Sequence, residues 1–331
     1  MTRETLEQYS LISLYSAIVV LTLAMLGFVL YLSRSAAARA ADAVVPEPVA
    51  QPVTVGGGGG ALTAEPGGTD IPASRDLSRA RKAAGPARMF TWLATFLVGC
   101  SIVLRGMSVH RPPLGNLHEF VAAASFVVLL GYCLWTLKRN VDWLGIFVTT
   151  PVLLMLGSAT TFWYTEAAEL MPSLKSGWLV IHVTVATLAT GVFTLAAMMS
   201  LAYLLIDRAE RNPDASQGFV GRLRRIVPPA SDLERIGYGL HVLAFPLWTF
   251  TLIAGAIWAR QAWASYWNWD PKEVWTFIIW VIYAAYLHAR ATTGVTRQKA
   301  TYIALAGFAC IIINYSIVNM YFVGQHSYSG V

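Results

Sequence analysis

Residues 255–290 read "GAIWARQAWASYWNWDPKEVWTFIIWVIYAAYLHAR". The stretch closes one apolar run, breaks at Ala264–Glu273, and resumes as a second apolar run. About 20 apolar residues in a helix cross the ~30 Å hydrocarbon core of a bilayer. Within the break, Pro271 suits the first turn of a helix, Asp270 can cap it, and Glu273 favours its positive end. The reading is a membrane span, a rigid aromatic shelf at the interface, and a second span.

The rest of the chain agrees with this. Of its 331 residues, 56% are hydrophobic and 13% are charged, against roughly a quarter charged in soluble domains. Eight apolar runs long enough to span recur, at about 10–33, 87–105, 115–137, 143–162, 177–206, 235–259, 273–292 and 300–323. The expected fold is therefore an all-α polytopic membrane protein of about eight transmembrane helices. The first run lacks a small-residue cleavage site and is read as a retained helix. Residues 34–86, rich in Ala, Pro and Gly, read as a disordered linker. Residues 1–33 are then a tethered helix, and 87–331 a seven-helix domain containing the tryptophan segment 258–280.

A net charge of +6 would suggest nucleic acid in a soluble protein, but its distribution excludes that reading. Lys and Arg favour cytoplasmic loops. One alternate set of loops holds 17 of the 24 basic residues, among them Arg34, Arg81, Lys82, Lys138, Arg139, Arg208, Arg211, Arg290 and Lys299. The opposite set holds Arg3, Arg105, Arg111, Lys175, Arg260 and Lys272. Both termini and the tryptophan segment are accordingly expected outside the cytoplasmic membrane. Cys100, Cys133 and Cys310 fall singly in different spans. There is no C-x-x-C for thiol exchange and no C-x-x-C-H for covalent heme attachment to this chain.

Histidine inside a membrane protein is expensive and therefore informative. His182 lies about five residues inside the outer end of the fifth run, and His326 just past the outer end of the eighth. Alone, each could be an interfacial hydrogen-bonding residue. Together, beside an aromatic shelf, they form a candidate ligand pair. His288 lies ~22 Å below Glu273, on a face with Val281, Ala284 and Ala285, small enough to leave room for a flat group. His241 enters the sixth run at matching depth, where a helix–helix hydrogen bond is the plain alternative. His110 and His118 flank the "RPPLGN" turn.

Half of the twelve tryptophans fall within residues 258–280. An aromatic belt would spread over many helix ends, whereas these concentrate in one loop, where indole faces suit a flat apolar ligand. A planar macrocycle whose metal takes imidazole from two sides would use both the shelf and the outer histidines; that ligand is heme.

The same stretch, followed by "GQHSY" near the end, resembles the WWD signature of heme-handling proteins, in particular the CcsA/ResC branch of system II cytochrome c biogenesis, whose actinobacterial members are often called CcsB. The similarity covers roughly residues 87–331. It implies heme b held outside by His182 and His326 on a shelf containing Trp263, Trp267, Trp269, Asp270 and Trp275. It also implies a membrane-embedded heme site at His288, its other ligand coming from a ResB-type partner. His241 would then be a bystander. Further implied partners are apocytochrome c with its CxxCH motif and a thioredoxin-like apocytochrome reductase. The usual motif has glycine at Ala264 and commonly tyrosine at His118, so His118 remains a further contact candidate.

The implied function is heme delivery across the membrane and its covalent attachment to apocytochrome c, as a holocytochrome c synthase subunit. Arg105, Arg111, Arg260 and Lys272 are candidates for the heme propionates. The rivals are a b-type heme subunit exchanging electrons with quinone and a multi-spanning transporter. The first usually pairs histidines along the same helices, whereas here each run has at most one; the second leaves the histidine arrangement unexplained.

Overall fold

The computed structural model describes residues 1–42, 72–169, 175–212, 218–292 and 294–326. It is helical almost throughout. The long helices are α1 (Arg3–Asp42), α2 (Pro72–Val109), α3 (Leu117–Lys138), α4 (Gly145–Thr161), α5 (Gly177–Arg211), α7 (Ala230–Trp263), α8 (Pro271–Ala291) and α9 (Arg297–Ile313), with a short α6 (Phe219–Arg224) between α5 and α7. Eight of these segments are long and apolar enough to cross a bilayer, which makes the chain an all-α, eight-helix polytopic membrane protein. Each overlaps one of the eight apolar runs; α1, α2, α5 and α7 extend beyond theirs, because a helix continues past the hydrocarbon once its backbone is internally bonded.

Helix α1 is not a loosely tethered addition. Its buried positions are Ser10, Leu14, Ala17, Leu21, Ala24 and Phe28, alternating steps of four and three. On α2 the matching series is Ala84, Ala87, Thr91, Ala94, Val98 and Ser101. Two helices with such seams pack knobs into holes, and in a membrane the small residues let the backbones approach. The antiparallel pair runs from Ser10, whose hydroxyl bonds the Ser101 carbonyl at 2.8 Å, to Gly27, where a Cβ would lie 2.9 Å from that of Ala87. Phe28 then meets Tyr132 of α3 edge to face at 6.1 Å. The first helix therefore belongs to the core, alongside the seven expected there.

The expected linker differs at its flanks. Residues 34–42 continue α1 and residues 72–86 begin α2, consistent with alanine's high helix propensity. The middle of the expected linker, residues 43–71, lies outside the described residues.

Two ends of the bundle can be distinguished. At one, Glu7 accepts from the Ala167 backbone N–H, Ser176 meets Gln261, and Asn268 meets Gln325. At the other, Arg88 pairs with Asp142 at 3.3 Å and Arg290 with Glu234 at 2.6 Å. The tryptophan segment, the start of α1 and Gln325 thus share one end.

A candidate heme-binding cleft at the tryptophan-rich end

Helix α7 ends at Ala264, whose φ of 60° is left-handed, and Trp269 repeats that conformation at 57°. These two reversals carry the chain across to Asp270, the N-cap of α8. The Asp270 carboxylate accepts from the Lys272 N–H at 3.1 Å, and Glu273 reaches back to the Asp270 N–H at 3.2 Å. With Pro271 in the first turn, this is a complete capping box. The loop is fixed at both ends.

The same carboxylate holds His326. Its Oδ2 lies 2.8 Å from His326 Nδ1, while Oδ1 takes the Gln325 N–H. Burial alone would raise the Asp270 carboxyl; the His326 contact and the Gln325 and Lys272 N–H groups outweigh it and hold the carboxyl below its ordinary value. An ionised carboxylate only accepts, so His326 donates to it through Nδ1.

His182 on α5 is fixed by equivalent logic. Its Nδ1 lies 3.0 Å from the Thr251 carbonyl of α7, which can only accept. The ring lies over Gly255, where a Cβ would come within 2.8 Å of Cε1, so the helix crossing at this point requires glycine. Trp258 stacks beside it at 6.0 Å and 14°. Hydrogen bonding at one ring nitrogen is how metal-binding histidines are oriented.

Both imidazoles line one cleft of about 640 Å³, measured to its open mouth, together with Trp258, Trp263, Trp267 and Tyr315. A second lobe of about 580 Å³ shares His182, Lys272, Tyr315 and His326 and is walled by Leu117, Phe120 and Val183. Trp263 meets His326 edge to face at 5.1 Å. Two imidazoles, each oriented through Nδ1, and an indole wall fit heme chemically.

Other expected site residues lie elsewhere. Trp269 is 77% exposed and touches Trp267 edge to face, and Trp275 is absent from the cleft wall. His118 is buried, bonded to the Ala159 carbonyl at 2.9 Å and packed against Tyr164. His241 is fully buried; its Nδ1 bonds the Gly237 carbonyl at 2.7 Å, and its ring packs on Tyr283 and Tyr286 of α8. His288 lies about 200° round α8 from Tyr286, exposed beside Val281 and Ala285. The two deeper histidines thus face different ways.

Among the basic residues, Arg105 and Arg111 both converge on Glu119, at 2.9 and 2.8 Å, and Arg260 bonds the Ala264 carbonyl. Lys272 is left in the cleft wall. Sequence reasoning missed Thr251, Asn314 and Tyr315. The last two could have been noticed as polar groups inside an apolar run, but their placement depends on a π-helical turn at Asn314–Val318, a feature frequent at functional sites.

Residues 114–326 match the cytochrome c assembly protein family. The chain belongs to this family. Relatives described as cytochrome c biogenesis protein CcsA include one from Guillardia theta, 34% identical over 65% of this chain and 76% of the relative. One from Synechococcus sp. (strain CC9902) is 32% identical over 74% and 86%. One from Prochlorococcus marinus (strain MIT 9301) is 29% identical over 79% and 90%. As a member of the cytochrome c assembly family, the chain acts in cytochrome c maturation by system II, and the expectation drawn from the tryptophan segment holds at that level.

Proposed function

We propose that this protein carries heme b to the outer face of the cytoplasmic membrane and presents it there to apocytochrome c, as a holocytochrome c synthase subunit acting with a ResB-type partner. The observation that supports this most is the pair His182 and His326. They come from positions 144 apart in the chain, line one indole-walled cleft, and each is oriented through a hydrogen bond at Nδ1, as metal-binding histidines are.

Heme is the substrate here, and the chain's contribution is position and protection. His182 and His326 would take the two axial positions, keeping the iron coordinatively saturated. Trp263 and Trp267 provide flat apolar wall on which the ring can stack. The two thiols of the apocytochrome CxxCH motif add across the vinyl double bonds, each thiol hydrogen going to the vinyl group as the C–S bond forms. That chemistry belongs largely to the substrates, so holding them at reacting distance is what the protein supplies. The apocytochrome histidine then displaces one protein imidazole, and the product leaves.

His288, on an exposed face of α8 with Val281 and Ala285, suits a ligand position shared with a partner helix, where heme would enter from the cytoplasmic side. The excess of Lys and Arg in the opposite loops supports an outside location for both termini and the tryptophan segment. A thioredoxin-like reductase would keep the apocytochrome thiols reduced.

The test is purification of the chain with and without its ResB-type partner, followed by absorption spectra and heme quantification. A low-spin six-coordinate heme spectrum, lost in His182→Ala, is the expected result. Purified complex with no Soret band would overturn the reading.

A further inference from the structure

We infer that Lys272 binds a carboxylate of the substrate porphyrin and so fixes which edge of the ring faces the chain. This rests on the heme reading above and adds an orientation to it. Lys272 is the second residue of α8, and its side chain lines both lobes of the cleft. Its Nζ donates to Asn319 Oδ1 and sits 5.4 Å from the centre of the Tyr315 ring. Both neighbours are neutral.

The carboxylates beside it in sequence are engaged elsewhere. Asp270 serves His326 Nδ1, the Gln325 N–H and the Lys272 backbone N–H. Glu273 accepts the N–H groups of Asn268 and Asp270. Among the described residues, no ion pair includes Lys272, whereas Lys175 and the two arginines near Glu119 all have one. Asp270 acts on it only from beyond ion-pair distance, and a half-buried cation with no direct ion pair is a ready partner for an anionic ligand group.

A second polar group lies in the same wall. Asn314 is 1% exposed and lines the cleft. One end of its amide meets Thr276 Oγ1 at 3.3 Å; the other end has no partner. That end is the carbonyl oxygen Oδ1, an acceptor, so it calls for a donor and adds nothing to carboxylate binding. Much of the remaining wall is indole and aliphatic, among it Trp258, Trp263, Trp267 and Leu252, which suits the edge of the porphyrin that carries no carboxylate.

The experiment is Soret titration of the full chain, purified with its ResB-type partner, using ferric protoporphyrin IX and its dimethyl ester. Wild type should bind the free acid about tenfold or more tightly than the ester, the scale of one charge-assisted contact. Lys272→Met should lose that preference while binding the ester as before, and Lys272→Arg should keep it. Equal wild-type affinity for acid and ester overturns the inference and leaves the heme reading standing. So does an equal loss of both in Lys272→Met, which would mark a structural role. No Soret change with either porphyrin overturns both.

Discussion

Asp270 Oδ2 lies 2.8 Å from His326 Nδ1, across 56 positions of sequence, while the same carboxylate caps α8. One side chain therefore fixes the start of the helix and the orientation of a candidate iron ligand. Removing it should do both kinds of damage. Asn is as good an N-cap as Asp and its carbonyl oxygen can still accept from Nδ1, so Asp270→Asn should keep the fold and most bound heme. Asp270→Ala should lower heme affinity by about 10- to 100-fold, the usual cost of losing an outer hydrogen-bond partner of a metal ligand. Equal heme retention in both variants would show that His326 needs no carboxylate to hold it.

Trp267 and Trp269 are two residues apart, yet only Trp267 lines the cleft; Trp269 is 77% exposed. Trp267→Ala should reduce heme retention, and Trp267→Phe should restore much of it because the role is stacking. Trp269→Ala should leave heme content unchanged and act, if at all, on apocytochrome delivery or membrane anchoring. Heme quantification across the three variants decides between a shelf with one working face and a generic aromatic belt.

His241 and His288 should behave oppositely. His241 is fully buried against Phe193, Tyr283 and Tyr286, so His241→Ala opens a cavity and should cost on the order of 2–3 kcal/mol, read as a lower thermal midpoint. His288 is exposed, so His288→Ala should leave stability within about 0.5 kcal/mol but lower the heme content of the complex with the partner. Added imidazole should restore part of that heme. If His241→Ala instead stripped heme at an unchanged midpoint, the ligand would come from within this chain.

The eight spans were legible because each is a long apolar run, and the capping box because Asp270, Pro271 and Glu273 announce it. The packing of α1 was not. In a bilayer, lipid-facing and buried leucines are equally apolar, and only the small residues Ser10, Ala17 and Ala24 mark the buried seam. The common end of His182 and His326 could be inferred from alternating basic loops. What fixes His182 could not, since the Thr251 partner is a backbone carbonyl and carries no residue identity. Asn314 and Tyr315 reach the cleft through a π turn that no local pattern in "INYSIV" reveals.

Ala264 closes α7 with φ 60°, the position where helices commonly place glycine. A Cβ in the left-handed region costs roughly 1–2 kcal/mol, partly offset by glycine's greater freedom when unfolded. Ala264→Gly should therefore stabilise the protein by about 0.5–1 kcal/mol, seen as a raised thermal midpoint in detergent with heme binding retained. A lowered midpoint would mean that the loop does not adopt this turn in the membrane.

The last prediction concerns His182 and His326 as one coordination pair. Each has Nδ1 tied to a group that can only accept, Thr251 O and the Asp270 carboxylate, and both line the same cleft. Ligands gripping one iron act as a unit, and the losses from removing members of a unit do not add. Either single Ala change should abolish cytochrome c maturation, and the double change should do no further harm. In the purified complex each single variant should shift the outer heme from six- to five-coordinate, and imidazole should return the low-spin spectrum by filling the vacated space. Two histidines serving only as interfacial hydrogen-bonding groups would give small defects that sum in the double variant, with an unchanged spectrum. Double-mutant maturation assays read beside absorption spectra separate these outcomes, because coordination alone predicts both the non-additivity and the imidazole rescue.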